Sequence, residues 1–302
     1  MARALSYING NATLPVPCRP NPSRPCALLL PYRPLKVTVS CNRSYWASIN
    51  SDIEAHLKKA IQAREPPCVF DPMHHLTFAA PRNTAPALCV AACELVGGHR
   101  DQALPAASAL HLIYAASFTH EHLPLTESSR PKSAIQHVYR PNIELLIGDA
   151  TLPFGLELLA KSDDPNQNKS DRVLQVMVEI TRAAGSQEMI YGQYCEVETC
   201  QSDNKESCHS HIGEIERICE KYDGAMHACG AACGAILGGG SEEEIEKMRS
   251  YGLYIGKIQG MINRIGSHDK DLNKLVDGLR DLAIKELRGF NEAKAKAISS
   301  FF

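Results

Sequence analysis

The spacing of apolar residues constrains this chain more than any other feature of its sequence. From Tyr45 onward they recur at intervals of three and four, as in Ile49, Ile53, Leu57 and Ile61, and alternating strand-like runs are scarce. A repeat of this kind places the apolar side chains on one face of a helix. We find no internal repeat and no linker that would divide residues 44–302. The sequence therefore predicts an all-α fold, a single-domain helical bundle over residues 44–302.

Proline, glycine and capping residues set the predicted helix ends. Pro66-Pro67 ends the first helix, His74-His75 falls in a loop or helix start after Pro72, and Ser241 with Glu244 forms a capping box. The predicted helices cover residues 46–63, 86–96, 104–121, 142–161, 171–184, 188–197, 212–221, 225–237, 242–263, 272–287 and 291–302.

The N-terminal segment differs from the rest of the chain in composition. Its first 51 residues hold six basic side chains and no acidic one, whereas the remainder carries 26 basic and 34 acidic residues. Seven of the eighteen prolines also lie there, and no apolar run is long enough to cross a membrane. This pattern predicts a plastid transit peptide over residues 1–43 and a location in the chloroplast stroma; the alternative is a disordered tail without a targeting role. The acidic remainder argues against nucleic-acid binding.

Two cysteine pairs have the spacing of one helical turn: Cys89 with Cys93, and Cys229 with Cys233. Outside residues 1–43 the chain has nine cysteines, an odd number without a secretory signal, which indicates reduced thiols. Each pair lies on one helix face, flanked by alanine and glycine. The residues alone leave two alternatives open: core packing, or a zinc site that joins both pairs with His227.

Several stretches resemble geranylgeranyl diphosphate synthases and their relatives among the polyprenyl synthases. In order and spacing they span about residues 45–300, and the resemblance is strongest to the small subunits of plant plastid geranyl diphosphate synthases. It implies the isoprenoid (polyprenyl) synthase type of helical bundle. The stretches are LCVAACELVGG (88–98), FTHEHLP (118–124), GDA (148–150), GQ (192–193) and GAILGGGSEEEIEK (234–247).

The chain departs from this family at the two aspartate-rich motifs, which in active members bind the Mg²⁺ that holds the diphosphate. Hard cations need oxygen ligands, and helical carboxylates at i and i+4 supply them. The matching positions are Glu121, His122 and Glu127 in the first motif, and Asn263, Arg264 and Ser267 in the second. We therefore expect no catalytic residue, no metal and no cofactor in this chain. The alternative is a metal held by the first three residues.

Other diphosphate-binding positions are also reduced. Arg82 retains one of three expected charges, Gln193 is present, and Tyr222-Asp223 replaces the family's Lys-Thr pair. Residual diphosphate binding through Arg82 and Gln193 lacks both the metal and the basic cradle.

The resemblance implies a non-catalytic regulatory subunit. Its partner would be a geranylgeranyl diphosphate synthase-type large subunit with Mg²⁺ in its own active site, bound as a heterodimer or heterotetramer and directed to ten-carbon geranyl diphosphate for monoterpenes. The resemblance also assigns partner binding to Cys89, Cys93, Cys229 and Cys233. Two alternatives stay open: a small subunit that raises twenty-carbon output, and a divergent active homomeric prenyltransferase that uses Glu121 and Glu127.

Overall fold

A computed structural model describes residues 43–62, 64–123, 137–163, 170–201, 208–266 and 270–300. These residues form twelve α-helices and one π-helical turn, Glu220–Gly224, and they contain no β-strand. The helices are α1 (Arg43–Ile61), α2 (Pro67–Ala79), α3 (Ala85–Leu95), α4 (Arg100–Glu121), α5 (Pro141–Lys161), α6 (Ser170–Ala183), α7 (Met189–Gln201), α8 (Cys208–Cys219), α9 (Ala225–Gly238), α10 (Glu242–Ile265), α11 (Lys270–Glu286) and α12 (Glu292–Ser299).

Helices α3, α4 and α9 form the centre of the bundle. Every residue of α3 except Glu94 is buried, and α9 is buried from Ala225 to Leu237. Around this centre, α10 packs against α9, α5 against α4, and α11 against α10. The all-α prediction is thus confirmed. No helix in the described part of the chain is both long and apolar enough to cross a membrane.

Glycines on α9 explain its close approach to α3. A Cβ atom at Gly230 would lie 2.6 Å from the carbonyl oxygen of Ala85, and one at Gly238 would lie 2.8 Å from that of Cys93. At Gly234, midway between them, the same atom would collide with the carbonyl oxygen of Cys89. The three glycines are four residues apart and therefore share one face of α9. The two backbones meet there without side chains between them.

Two local predictions are corrected. His74 and His75 lie inside α2, because Pro67 occupies its first turn, where a missing N–H costs nothing, and Pro72 is accommodated within the helix. The predicted break between residues 221 and 225 is a π-helical turn that joins α8 to α9 without interruption. The capping box is confirmed, since the Glu244 N–H donates to Ser241 Oγ at 3.3 Å and the Ser241 N–H to Glu244 Oε2 at 2.8 Å.

Candidate functional site

The first motif position lies at the C-terminal end of α4. Glu121 is the last residue of that helix and is exposed, and His122 follows as its C-cap. His122 Nδ1 donates to the carbonyl oxygen of Phe118 at 2.8 Å, and the imidazole ring lies 4.1 Å from the Phe118 ring. One nitrogen of His122 is therefore committed to its own helix. Glu127, the third predicted position, lies outside the described residues.

The second motif position lies in the last turn of α10, where Asn263 and Arg264 stand in place of carboxylates. Arg264 Nη1 donates to Asp223 Oδ2 at 2.5 Å, and Nε and Nη2 donate to the two carboxylate oxygens of Glu196 at 3.2 and 3.1 Å. The three side chains are only 15–20% exposed. Ser267 lies outside the described residues. A guanidinium with two carboxylates thus occupies this end of α10.

The charge of Arg264 is fixed by this environment. Burial alone would lower the pKa of its guanidinium, but the charges of Asp223 and Glu196 outweigh burial and raise the pKa well above its ordinary value. Arg264 is therefore cationic at every pH at which the chain is folded. Its plane also lies 5.8 Å from the ring centre of Tyr222.

Gln193 and Tyr222 connect the two motif positions. Gln193 Nε2 donates to Ser117 Oγ on α4 at 2.7 Å, and Ser117 Oγ lies 3.1 Å from the Tyr222 hydroxyl. Burial, and after it the charge of Glu121, raises the pKa of Tyr222. Gly192 allows this contact, because a Cβ there would lie 3.0 Å from the backbone nitrogen of Tyr222. The Tyr222 side chain thus lies between the first motif on α4 and Arg264 on α10.

Arg82 belongs to a different surface. It precedes α3, its side chain is 67% exposed, and its guanidinium pairs with Glu54 Oε2 on α1 at 2.8 Å. The structure thus engages the two predicted residual diphosphate-binding residues separately, Arg82 with α1 and Gln193 with α4.

The four paired cysteines lie in the core between α3 and α9. Each is at most 3% exposed, and the sulfur atoms of Cys229 and Cys233 are 3.7 Å apart. Burial raises the pKa of the Cys89 and Cys233 thiols, so both stay protonated at neutral pH. Core packing, one of the two alternatives left open, accounts for this placement.

His227 does not join the cysteines. Its Nδ1 donates to the carbonyl oxygen of Asp223 at 2.6 Å, and its Nε2 lies 2.6 Å from the Thr84 hydroxyl. Burial lowers the pKa of the imidazole, which is therefore neutral. Across the described ranges, no three His, Cys, Asp or Glu side chains converge in a way that could hold a metal ion. Neither the zinc site nor a Mg²⁺ site at the two motifs fits the residues described.

Sequence reasoning missed Glu196 as a site residue and treated Asp223 only as part of a replaced Lys-Thr pair. A signal for Glu196 was available, since it follows Gln193 by three residues and so shares its face of α7. No comparable local signal indicates that Asp223 faces Arg264.

Comparison with known proteins adds a family model described as polyprenyl synthetase, which matches residues 66–259. The chain belongs to the polyprenyl synthetase family. It is 50% identical over 278 residues to the heterodimeric geranylgeranyl pyrophosphate synthase small subunit 2, chloroplastic, of Cannabis sativa, and the match covers 89% of this chain and 96% of that protein. This family member therefore spans nearly the whole length of a known small subunit.

Two solved structures are similar in fold and in sequence. The geranyl diphosphate synthase small subunit from Antirrhinum majus aligns with a TM-score of 0.78 at 50% identity, and covers 87% of this chain and 98% of its own. A mint deletion mutant of heterotetrameric geranyl pyrophosphate synthase, in complex with ligands, aligns with a TM-score of 0.74 at 50% identity, over 85% and 98% of the two chains. These matches confirm the predicted resemblance to small subunits and the polyprenyl synthase type of bundle.

Proposed function

We propose that this chain is the non-catalytic small subunit of a heteromeric prenyl diphosphate synthase, and that it directs a geranylgeranyl diphosphate synthase-type large subunit to release ten-carbon geranyl diphosphate from dimethylallyl and isopentenyl diphosphates. The observation that carries the proposal is the pairing of Arg264 with Asp223 and Glu196. Ionising an allylic diphosphate requires cations that face the leaving group. Here the one cation at the second motif is already paired with two protein carboxylates.

Catalysis is assigned to the partner, which would hold Mg²⁺ in intact aspartate-rich motifs. In this chain Tyr222 lies between the motif positions and Gln193 is hydrogen-bonded to Ser117. A diphosphate would have to displace these contacts and approach a triad that carries a net negative charge. We therefore propose that the chain alone has no prenyltransferase activity.

An exposed apolar face on α5 and α6 supports partner binding. Leu146 and Leu174 are each 61% exposed, and Leu145 and Val178 on the same two helices are also exposed. Helices α5 and α6 pack against each other, so these residues belong to neighbouring surfaces. Large apolar side chains grouped in this way mark protein–protein interfaces. This face is the proposed contact with the large subunit.

The four cysteines enter the proposal indirectly. Because their thiols are buried between α3 and α9, they would support partner binding by fixing the spacing of those helices rather than by touching the partner. Loss of a thiol should then weaken assembly only as far as it weakens the fold.

Product length depends on the ratio of two rates, elongation and release. A change of about 1.4 kcal/mol in either barrier alters that ratio tenfold, so a modest effect across the interface is sufficient. Enhanced twenty-carbon output is the second candidate, because the Cannabis sativa relative is named a geranylgeranyl synthase subunit. The Antirrhinum majus relative, named a geranyl diphosphate synthase subunit, supports the ten-carbon product.

The proposed location is the plastid stroma, with residues 1–43 as a transit peptide. These residues lie almost entirely outside the described part of the chain, and the support comes from their basic, proline-rich composition. The Cannabis sativa relative is also named chloroplastic. Import of the full chain into isolated chloroplasts, with cleavage near residue 43, would test this assignment.

The decisive assay follows radiolabelled isopentenyl diphosphate with dimethylallyl diphosphate and Mg²⁺. The full chain is tested alone and then mixed with a plastid geranylgeranyl diphosphate synthase. We expect no product from the chain alone and geranyl diphosphate from the mixture. A rise in the twenty-carbon product would favour the second candidate. Product from the lone chain that is lost in Glu121→Ala would establish an active homomeric enzyme and refute the proposal.

The interface is tested with Leu146→Glu and Leu174→Glu. A charge in the centre of a buried apolar contact should weaken co-elution with the large subunit at least tenfold, with the melting temperature of the lone chain unchanged. Ile284→Glu is the matched control, since Ile284 is also exposed, at 45%, but lies on α11. Equal loss of binding in all three variants would refute α5 and α6 as the contact face.

A further inference from the structure

Arg264 connects three separate parts of the chain. Its side chain starts from α10, its Nη1 reaches Asp223 in the π-helical turn at 2.5 Å, and its Nε and Nη2 reach Glu196 on α7 at 3.2 and 3.1 Å. These contacts engage both carboxylate oxygens of Glu196 and one of Asp223. The geometry is that of a fork-shaped donor held between two acceptors.

The face of α10 that carries Arg264 is shaped to receive Asp223. Gly256 and Gly260 precede Arg264 at intervals of four residues, so all three lie on one side of the helix. A Cβ at Gly256 would collide with the carbonyl oxygen of Asp223, and one at Gly260 with its carboxylate. The two glycines therefore allow the π-helical turn to sit against α10, and Arg264 closes the contact with a charge.

The charges explain why a cation is needed at this point. Asp223 and Glu196 are 15% and 20% exposed and both contact one guanidinium, so without it two carboxylates would face each other with little solvent between them. Burying a charge without a partner is strongly destabilising. A divalent cation or a guanidinium can supply the missing positive charge.

We propose that Arg264 is a resident substitute for a bound divalent cation, which neutralises Asp223 and Glu196 and holds the π-helical turn, with Tyr222, against α10 in the absence of metal. The inference rests on the proposed function only in that this chain is taken to hold no catalytic metal. Asp223 directly follows Tyr222, so the ion pair fixes the residue that lies between the two motif positions. The polar centre of the subunit is then assembled by the chain itself.

Thermal unfolding of the full chain tests the proposal. Arg264→Gln leaves two facing carboxylates and should lower the melting temperature by roughly 5–10 °C. Arg264→Gln combined with Asp223→Asn and Glu196→Gln removes the repulsion and should recover most of that loss. Arg264→Lys, which keeps the charge but not the fork, should fall between wild type and Arg264→Gln. The wild-type melting temperature should be the same in Mg²⁺ and in EDTA.

Arg249→Gln is the matched control. Arg249 also lies on α10 and binds Glu179 through two nitrogens at 2.5 and 3.2 Å, but far from Asp223 in the chain. Its loss should lower the melting temperature without any recovery from the Asp223 and Glu196 changes. If Arg264→Gln yields no folded chain, recovery of folded protein in the triple variant is the corresponding supportive result.

Two results would overturn the inference. One is a triple variant whose loss equals the sum of the separate losses, because independent effects mean that the three charges are not coupled. The other is a rise of several degrees in the wild-type melting temperature on addition of Mg²⁺. Both are measured on the lone chain, whereas failure of the proposed function would appear in the product assay with the large subunit.

Discussion

The continuous helix from Cys208 to Gly238 makes two contacts of opposite chemistry. Its C-terminal half, α9, packs against α3 through glycines and buried thiols, without a charged group. Its π-helical turn instead packs against α10 through Asp223 and Arg264, and hydrogen-bonds through Tyr222 to Ser117. One contact depends on how closely two backbones approach, and the other on the balance of charges. The first should be sensitive to volume and the second to the removal of single polar partners.

The largest expected effect is on the uncharged contact. Gly234→Val should cost more than about 4 kcal/mol, because its Cβ would collide with the Cys89 carbonyl oxygen and force α3 and α9 apart. We expect little folded protein by circular dichroism and urea titration. Gly278→Ala is the control, since a Cβ there meets nothing within 4 Å, and it should gain about 0.5–1 kcal/mol. An unchanged urea midpoint for Gly234→Val would refute the close approach.

The second effect comes from pH and separates the thiols from the charged contact. Burial raises the pKa of Cys89 and Cys233 above the ordinary 9.0. The unfolded chain therefore releases these protons first, so the stability is complete below pH 9 and is lost as the pH rises above it. Two such thiols give a loss of roughly 2–3 kcal/mol per pH unit.

Urea titrations at pH 8, 9 and 10 measure this slope. Replacing both Cys89 and Cys233 with alanine should flatten it between pH 9 and 10. Tyr222, whose pKa is also raised, then contributes above its ordinary value of 10.0. An equally steep slope in the double variant would show that the thiols are not the source of the loss.

A third, smaller effect distinguishes polarity from volume at the thiols. Cys233→Ser places a hydroxyl in an apolar site and should cost about 2 kcal/mol, whereas Cys233→Ala should cost about half as much. Urea unfolding of the lone chain and affinity for the large subunit are measured together. If Cys233→Ser weakened affinity without loss of stability, the thiol would have a direct role in the interface that its burial argues against.

The smallest effect tests the polar contact. Tyr222→Phe removes the hydroxyl that lies 3.1 Å from Ser117 Oγ and should cost about 1 kcal/mol. Tyr194→Phe is the control, because the Tyr194 hydroxyl donates to the exposed Glu198 on the same helix at 2.5 Å and should contribute almost nothing. Equal urea midpoints for the two variants would mean that Tyr222 does not depend on its hydrogen bond.

Apolar spacing predicted most of the bundle because it is a local property. Residues 86–96 were predicted as a helix, and α3 runs from Ala85 to Leu95. Helix α2 was missed because Pro67 and Pro72 were treated as helix breakers, although proline is tolerated in a first turn. The π-helical turn was missed because Tyr222-Asp223-Gly224 has the composition of a break between helices.

The candidate site divides in the same way. The motif positions Glu121 and Arg264 could be located by order along the chain, and the loss of carboxylates could be read directly. The partners of Arg264 could not, because Asp223 and Glu196 are 41 and 68 residues away in sequence. Only the fold brings them together, and no periodicity within α7 or α10 indicates that pairing.

The π-helical turn also sets the rotational phase of everything that follows it. One residue inserted into an α-helix rotates all later side chains by about 100° around the axis, and a π-helical turn absorbs that residue without bending the axis sharply. Deleting one residue from Glu220–Gly224 would therefore turn the glycines of α9 away from α3 while leaving every amino acid of α9 unchanged. The turn acts as a gear offset between two halves of one rod.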